Sequence, residues 1–251
     1  MDNTKRFSGR AEDYTRARPS YSEDFITMLC DDLGFNQSSV VADIGSGTGK
    51  FSKQILEKGC TAFCVEPNDD MRRIAELELG SYKNFRSVNG NSSDTKLDDK
   101  SVDFITVAQA FHWFDADEFN QECKRILKTG GKVLLIWNTR DMTSEFNIKS
   151  YEIYKKYCPD FKGYHGGMRD DDKRITDFFN HKCRKVTFEN PLSFTKEKFI
   201  ARSLSASYSI KSDNSNYKNY IEELEKLFDK YSRNGVVIMK NNTVVYIGDV
   251  E

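Results

Sequence analysis

The sequence lacks the features that mark several large classes of protein. It has 38 basic and 39 acidic side chains, and this balance argues against a surface that attracts nucleic acid or an anionic membrane. The longest strongly apolar run, Val133 to Trp137, is far too short to span a bilayer, and the first residues lack the apolar core of a signal peptide. We therefore expect a soluble, cytoplasmic protein, a monomer or homodimer, that has no nucleic-acid or membrane partner.

Metal-binding patterns are also missing. The six cysteines include no Cys-x-x-Cys pair, and only Cys183 has a histidine nearby, His181. A zinc site is therefore unsupported, and we predict no metal. Disulfides are not expected in a chain of this kind, so the thiols are predicted to be reduced and buried.

One stretch, residues 40–49, does carry a clear pattern. Val40 to Ile44 is an apolar run with a single acid, which is typical of a buried parallel strand. Gly45, Gly47 and Gly49 then turn the chain into a helix that opens at about Lys50. Glycine is needed where φ is positive or where a ligand lies against the backbone. Free N–H groups at the helix start make this carboxyl end of the strand a predicted ligand site.

Spacing separates the ligands that such a loop can bind. A phosphate-binding P-loop would need glycine at position 44 and a hydroxyl residue at 51, where the chain has Ile44 and Phe51. The dinucleotide fingerprint Gly-x-Gly-x-x-Gly is one residue longer than this loop. Asp43 would repel a pyrophosphate but attract an ammonium group, directly or through water, which favours the Asp-x-Gly-x-Gly-x-Gly loop that binds S-adenosylmethionine. A glycine-rich turn without a ligand is the remaining alternative.

Further candidate residues follow the next strands. Glu66 stands at a predicted strand end about 20 residues after the loop, where an acid accepts hydrogen bonds from ribose hydroxyls; a surface salt bridge is the alternative. Pro67 begins the next turn, and Asn68 caps a helix on which Met71 either touches an adenine ring or joins the core. The polar loop around Asn91 follows a third strand.

The order of elements predicts the fold. Strands and helices alternate at least four times by residue 137, which is typical of a doubly wound α/β protein with a mostly parallel sheet. Gly130-Gly131 is the predicted break before the strand over 132–137, and a long helix is predicted over 216–233. Strands over 236–239 and 244–247 are predicted to form a hairpin around Asn241-Asn242.

We expect one domain over 1–251. Its predicted additions are an N-terminal helical cap segment over 1–36 and an inserted cap over the site at 141–175. The first residues either fold over the ligand or form a frayed terminus.

These motifs together resemble the class I S-adenosylmethionine-dependent methyltransferases. The resemblance covers essentially the whole chain, and within the class it points to the branch of ubiquinone-biosynthesis-like and trans-aconitate-like enzymes. It rests on Asp43-x-Gly45-x-Gly47-x-Gly49, Val65-Glu66-Pro67-Asn68, Ser101 to Thr106, Ala108-Gln109-Ala110-Phe111-His112-Trp113-Phe114, Tyr14 with Arg18-Pro19, and Trp137-Asn138-Thr139-Arg140-Asp141.

The resemblance implies a seven-stranded sheet with a reversed last strand and S-adenosylmethionine as cofactor. It implies that Gly45, Ser46 and Gly47 pack on the methionine part, with Asp43 facing its amino group, and that Glu66 binds ribose. The other implied cofactor-binding residues are Tyr14, Arg18, Pro67, Asn68, Met71, Asn91, Ser92, Gln109 and Ala110. Ser92-Ser93 departs from the Ala-Glu or Ala-Asp of many relatives, so Asn91 and Ser92 are only candidates.

The predicted function is methyl transfer to a small organic acceptor. His112 is the candidate base for a hydroxyl or carbon acid, with a packing role as the alternative. Trp113 would line the acceptor site, and Arg140 and Arg169 would hold a carboxylate unless they lie on solvated faces. Competing functions are a non-catalytic cofactor-binding regulatory module, a nucleic-acid methyltransferase and an NAD-dependent oxidoreductase.

Overall fold

The structure is a computed structural model that describes residues 19–164, 172–206 and 208–250. Three predicted site residues, Tyr14, Arg18 and Arg169, lie outside these ranges. The helices are α1 Glu23–Asp31, α2 Lys50–Glu57, α3 Asp69–Leu79, α4 Ala116–Ile126, α5 Glu145–Tyr157, α6 Lys173–Phe178, α7 Lys196–Leu204 and α8 Tyr217–Tyr231. The strands are β1 Val40–Ile44, β2 Thr61–Val65, β3 Phe85–Val88, β4 Val102–Ala108, β5 Leu127–Arg140, β6 Cys183–Glu189, β7 Leu192–Phe194, β8 Val237–Met239 and β9 Asn241–Gly248.

Seven strands form one sheet in the order β3-β2-β1-β4-β5-β9-β6, with the C-terminal strand β9 antiparallel. Strand β1 lies parallel between β2 and β4, with Asp43 opposite Cys64 on one side and Thr106 on the other. The predicted α/β fold with a mostly parallel sheet is therefore confirmed. Because β1, β2 and β4 are parallel neighbours, their carboxyl ends meet at one edge of the sheet.

The predicted C-terminal hairpin is wrong. Strand β8 pairs with β7 in a separate antiparallel sheet, where Met239 is opposite Leu192, while β9 enters the main sheet. No turn forms at Asn241-Asn242, because β9 begins at Asn241. Its residues Thr243 to Gly248 are all buried, which suits a strand with neighbours on both sides and overrides the local turn preference.

The predicted break at Gly130-Gly131 is also wrong. Strand β5 runs through both glycines, and its pairing with β4 shifts register between Val102 and Phe104. A Cβ at residue 131 would lie 2.6 Å from the Asp103 carbonyl oxygen. The glycines therefore permit a close strand approach at an irregularity.

Several helix boundaries follow from side-chain caps. Asn68 accepts a hydrogen bond from the Met71 amide at the start of α3, and Asp115 accepts from the amides of Asp117 and Glu118 at the start of α4. Each such cap stabilises a helix by about 1 kcal/mol. Asn68 follows the end of β2 closely, whereas Asp115 follows β4 after the short 3-10 helix Phe111–Trp113.

The chain divides into two compact units. Of the described residues, the first unit contains 19–137, 172–188 and 243–250, and the second contains 138–164, 189–206 and 208–242. The first unit has apolar clusters centred on strand residues such as Ile105 and Val41, and the second has an aromatic-rich cluster that includes Tyr220 and Phe199. The single domain and the cap at 141–175 stay predictions; helix α6 falls in the first unit.

Two negative findings apply to the described residues. None of their helices combines the length and the apolar character needed to cross a bilayer. They also contain no group of three His, Cys, Asp or Glu side chains arranged to hold a metal ion.

Candidate active site

The glycine loop has the backbone conformation that its sequence predicts. Gly45, Gly47 and Gly49 have φ angles of 69°, 58° and 78°, all in the left-handed region that favours glycine. The amides of Gly45 and Ser46 both donate to the carbonyl oxygen of Val65, at 2.9 and 3.2 Å. The loop is thereby attached to the carboxyl end of β2 as well as β1.

Glu66 holds the centre of this loop. Its Oε2 atom accepts a hydrogen bond from the Gly47 amide at 2.9 Å, and its Oε1 atom accepts one from the Asn68 amide at 2.9 Å. Burial raises the pKa of Glu66, and these two N–H groups oppose the rise. Each carboxylate oxygen retains capacity to accept a further hydrogen bond.

Asp43 lies beneath the loop and is completely buried. Its two oxygens accept hydrogen bonds from the hydroxyls of Ser52, at 2.6 Å, and Thr106, at 2.9 Å. Burial raises the pKa of Asp43 to about 6, although the two hydroxyls lower it. The side chain therefore joins β1 to α2 and β4, a role that its position in the sequence motif did not reveal.

Ser46 supplies an unsatisfied polar group in the same loop. Its hydroxyl oxygen is buried and has no hydrogen-bond partner among the described residues. A buried hydroxyl without a partner costs free energy. A polar ligand at the loop would remove that cost.

The end of β4 lies against the first glycine. Gln109 has a φ of 60°, which is uncommon for a residue with a side chain, and its amide donates to the Ile136 carbonyl at 2.9 Å. A Cβ at residue 45 would lie 2.7 Å from the Ala110 Cβ and 3.2 Å from Phe114 Cζ. Gly45, Gln109 and Ala110 are thus brought together, and Phe114 is a neighbour that sequence reasoning missed.

The aromatic stretch after β4 divides into inward and outward side chains. It forms a short 3-10 helix, Phe111–Trp113. Phe111 is buried and packs on Phe178 and Trp137, with ring centroids 5.1 and 6.5 Å apart. The His112 and Trp113 rings are tilted against each other with centroids 4.6 Å apart, and Trp113 is 37% exposed. His112 is partly buried, so both residues lie nearer the surface than Phe111.

The turn after β2 supplies a further side chain to the loop. Met71 is 3% exposed, and its sulfur lies 3.5 Å from the position that a Cβ on Gly47 would take. Asn68 caps its helix, and Pro67 is partly buried between them and the strand. These three predicted residues therefore lie together beside Glu66.

The loop after β3 is shaped by its own side chains. The Asn91 amide oxygen accepts hydrogen bonds from the amides of Ser93 and Asp94, and Ser92 is partly exposed. Glu122 of α4 anchors the same loop, because its Oε1 atom accepts from the Thr95 amide at 2.8 Å and the Thr95 hydroxyl at 2.5 Å. Sequence reasoning missed Glu122, since a single acid on a helix carries no distinctive signal.

Arg140 belongs to the second unit. Its guanidinium carbon lies 5.0 Å from the centroid of the Tyr164 ring. It is therefore not among the predicted residues that the first unit brings together. Those residues are Asp43, Gly45, Ser46, Gly47, Glu66, Asn68, Met71, Gln109 and Ala110.

Parts of this sequence are similar to known proteins. Residues 42–135 match the family model described as a methyltransferase domain. An uncharacterised methyltransferase-like protein of Schizosaccharomyces pombe is 34% identical over 163 residues, which cover 62% of this chain and 62% of that protein. An uncharacterised methyltransferase of Mycobacterium tuberculosis is 34% identical over 140 residues, 56% of this chain and 55% of that protein. The match thus spans less than two thirds of these relatives.

Solved structures share the fold at low sequence identity. A proposed type II methyltransferase from Anaeromyxobacter dehalogenans superposes with a TM-score of 0.64 at 16% identity, covering 93% of this chain and 98% of that one. A proposed methyltransferase from an antibiotic biosynthesis pathway of Anabaena variabilis gives a TM-score of 0.63 at 18% identity, with 90% and 97% covered. At these identities the likeness concerns the fold alone.

Proposed function

We propose, on the premise that residues 42–135 form a methyltransferase domain, that this chain transfers a methyl group from S-adenosylmethionine to a small organic acceptor. The observation that carries the proposal is the attachment of the glycine loop to Glu66 through the Gly47 amide. A buried acid beside a glycine-rich loop, at the carboxyl edge of a parallel sheet, is suited to a nucleoside ligand. We also propose that the chain belongs to the ubiquinone-biosynthesis-like or trans-aconitate-like branch of these enzymes.

The positions of the side chains support the proposed cofactor-binding roles. Glu66 would accept hydrogen bonds from the ribose hydroxyls, since each of its oxygens has one protein donor and can accept another. The unsatisfied Ser46 hydroxyl fits a polar contact to the methionine part. Met71 would lie against the adenine, with Asn91 and Ser92 at its edge.

Asp43 would act on the ammonium group of the cofactor through its charge. Both of its oxygens already bind hydroxyls and the side chain is buried, so we assign it a role through the loop or a water molecule. Tyr14 and Arg18 would close over the methionine part, with Arg18 paired to the carboxylate. Gln109 and Ala110 would lie beside the sulfonium group, against Gly45.

Methyl transfer is an in-line displacement. The bond from sulfur to the methyl carbon breaks as the bond from the acceptor to that carbon forms, and the electron pair returns to sulfur to leave a neutral thioether. The protein chiefly supplies alignment and exclusion of water. A carboxylate acceptor needs no base, whereas a hydroxyl or carbon acid must lose a proton, for which His112 is the proposed base. Trp113, Arg140 and Arg169 are the proposed acceptor-binding residues.

The first test is the melting temperature with S-adenosylhomocysteine, S-adenosylmethionine and, as comparator, NADH. At a hundredfold excess over its dissociation constant a ligand stabilises by about 2.7 kcal/mol. For a chain of this size we expect a rise of roughly 5–10 °C with the adenosyl compounds alone. A rise with NADH only would overturn the proposal in favour of an oxidoreductase.

A matched pair of variants tests the role of Glu66. Glu66→Gln removes the charge at the loop, and we expect S-adenosylhomocysteine to bind at least tenfold more weakly by calorimetry. The control is Glu78→Gln, since Glu78 is exposed on α3. Equal affinity in both variants would exclude Glu66 from the site.

Release of S-adenosylhomocysteine in the presence of carboxylic acids and phenols then tests catalysis. Turnover with a member of this panel would support the enzyme. Cofactor binding without turnover on any small acceptor would favour the non-catalytic regulatory module.

A further inference from the structure

The loop after β3, residues 89–95, begins beside the centre of the candidate site. Strands β2 and β3 are parallel neighbours, so both end at the same edge of the sheet. The Glu66 amide, directly after β2, donates to the carbonyl oxygen of Val88, the last residue of β3, at 3.1 Å. The loop therefore leaves the sheet next to the acid that holds the glycine loop.

The two ends of this loop are in close contact. A Cβ on Gly90 would lie 2.7 Å from the Thr95 carbonyl oxygen. The Asn91 amide donates to the Asp94 carbonyl at 3.0 Å, and the Asn91 side-chain oxygen accepts from the Asp94 amide at 2.9 Å. Residues 90–95 thus form a closed turn, and a displacement of Thr95 would displace the rest of it.

Glu122 of α4 is the side chain that holds Thr95. Both residues are buried, and the Glu122 Oε1 atom accepts hydrogen bonds from the Thr95 amide at 2.8 Å and from its hydroxyl at 2.5 Å. Hydrogen bonds to an ionised oxygen are roughly twice as strong as those between neutral groups. The loop is therefore fixed to α4 as well as to the sheet.

Arg125, about one turn further along α4, fixes the Glu122 carboxylate. Its Nε atom donates to Glu122 Oε2 at 2.8 Å and its Nη2 atom donates to Oε1 at 2.7 Å, which is a bidentate ion pair. Its Nη1 atom donates to the Leu97 carbonyl at 2.7 Å. Burial acts to raise the pKa of Glu122, but the hydrogen bonds from Arg125 and Thr95 outweigh it and lower the pKa. The carboxylate is therefore ionised at neutral pH and held at both oxygens.

A nucleoside at Glu66 would bring its base to this part of the sheet edge. The base is joined directly to the ribose, so it must lie close to the strand ends that flank Glu66, and β3 is one of them. Ser92, in the middle of the turn, is partly exposed and carries a hydroxyl that can donate or accept a hydrogen bond. The turn is therefore suited to contact the polar edge of a purine ring.

We propose that Glu122 is a positioning residue for the purine ring of the cofactor. It acts through Thr95, which sets where Asn91 and Ser92 lie, and it does not itself contact the cofactor. Groups that are fixed before binding lose less conformational freedom when the ligand arrives, so a held turn discriminates between purines better than a loose one. The inference rests on the proposed function, because it takes S-adenosylmethionine as the ligand of the glycine loop.

The test is calorimetry of the full chain with S-adenosylhomocysteine and with S-inosylhomocysteine, in which an oxygen replaces the amino group of the purine ring. The ratio of the two dissociation constants, which we name the purine ratio, measures how well the chain reads that edge. We expect the unmodified chain to prefer S-adenosylhomocysteine by about tenfold or more, since a site built to hydrogen-bond one group rejects the analogue without it. Equal affinities would overturn the proposal.

Three variants test whether this discrimination depends on Glu122. Glu122→Leu removes both acceptors of the carboxylate, and we expect the purine ratio to fall by about fivefold or more. Thr95→Val keeps the amide hydrogen bond and loses the hydroxyl, so the ratio should fall by less. Glu122→Gln keeps an acceptor for Thr95 and should retain the ratio within about twofold. An unchanged ratio in Glu122→Leu, or in Thr95→Val where the first variant does not fold, would overturn the assignment.

A purely structural role for Glu122 predicts a different result. General loosening of the chain would weaken both ligands equally and leave the purine ratio unchanged. The control is Gly34→Ala, which introduces a left-handed alanine before β1, where a Cβ has no atom within 4 Å. This variant should lose stability and keep the ratio of the unmodified chain. A fall in its ratio as large as that in Glu122→Leu would overturn the proposal.

The failure of this inference is separable from that of the proposed function. A chain that binds neither ligand loses the proposed function, and this inference with it. A chain that binds S-adenosylhomocysteine and keeps its purine ratio in Glu122→Leu retains the proposed function and loses only this inference.

Discussion

At the scale of single residues, the two buried acids of the candidate site have different environments. Glu66 accepts hydrogen bonds from two backbone N–H groups, that of Gly47 in the glycine loop and that of Asn68. Asp43 accepts only side-chain hydroxyls and is completely buried. Neutral hydroxyls compensate a buried charge incompletely. Asp43 therefore makes the stability of the chain depend on pH.

The pH dependence has a defined direction. Burial raises the pKa of Asp43 from its ordinary value of 3.8 to about 6 in the folded chain, so the folded state binds more protons between these two pH values. The contribution of this group to stability is fully present below pH 3.8 and is lost as pH rises through about 6. The loss is on the order of 3 kcal/mol.

The variant Asp43→Asn removes this titration. The free energy of unfolding of the variant minus that of the unmodified chain should be larger at pH 7 than at pH 4 by roughly that amount. Urea unfolding at both pH values measures the difference. Asp117→Asn, an exposed acid on α4, is the control for removal of a carboxylate. A pH-independent offset for Asp43→Asn would contradict the expectation.

At the scale of elements, the junction of β1 and α2 shows how glycine serves both conformation and packing. Gly49 and Gly34 have nearly equal φ angles, 78° and 74°. A Cβ on Gly49 would overlap Leu79 Cδ1 of α3, whereas a Cβ on Gly34 would have no atom within 4 Å. The two positions therefore separate the conformational cost of alanine from the packing cost.

We expect Gly34→Ala to lower the free energy of unfolding by about 1–2 kcal/mol, the cost of a left-handed residue with a side chain. Gly49→Ala should lower it by an additional 1–3 kcal/mol or so, because α2 and α3 must move apart. Urea unfolding of the two variants gives both values. Equal losses would show that α3 adjusts without cost.

Packing between elements also explains the two errors in the predicted strands. An Asn-Asn pair is a local signal for a tight turn, and a glycine pair is a local signal for a break. In the structure Asn241 begins β9, and Gly130-Gly131 lie within β5. Each local preference is worth about 1 kcal/mol or less, whereas burial of one large aliphatic side chain is worth about 1.5–3 kcal/mol. Burial therefore decides the pairing.

At the scale of the whole molecule, the balance of charge bears on the competing functions. With 38 basic and 39 acidic side chains, the chain lacks the excess positive charge on which non-specific binding to phosphate backbones depends. We expect no measurable binding to duplex DNA or single-stranded RNA at about 0.15 M salt by fluorescence anisotropy. Micromolar binding, or methyl incorporation into either polymer, would favour the nucleic-acid methyltransferase instead.

The sequence alone determined the glycine loop, the alternation of strands and helices, and the class of cofactor to expect. These features depend on residues that are close in the chain, where the φ preference of glycine and the period of apolar residues act directly. It also placed Glu66 and Asn68 at a strand end, since Glu66 follows Val65 directly and Asn68 comes two residues later.

Only the tertiary structure decided which distant residues meet. It paired β8 with β7, gave Asp43 its partners Ser52 and Thr106, and placed Glu122 under the loop after β3. These contacts join residues that are up to 63 positions apart. Their formation depends on how the whole chain buries its apolar surface, and no short stretch of sequence contains that information.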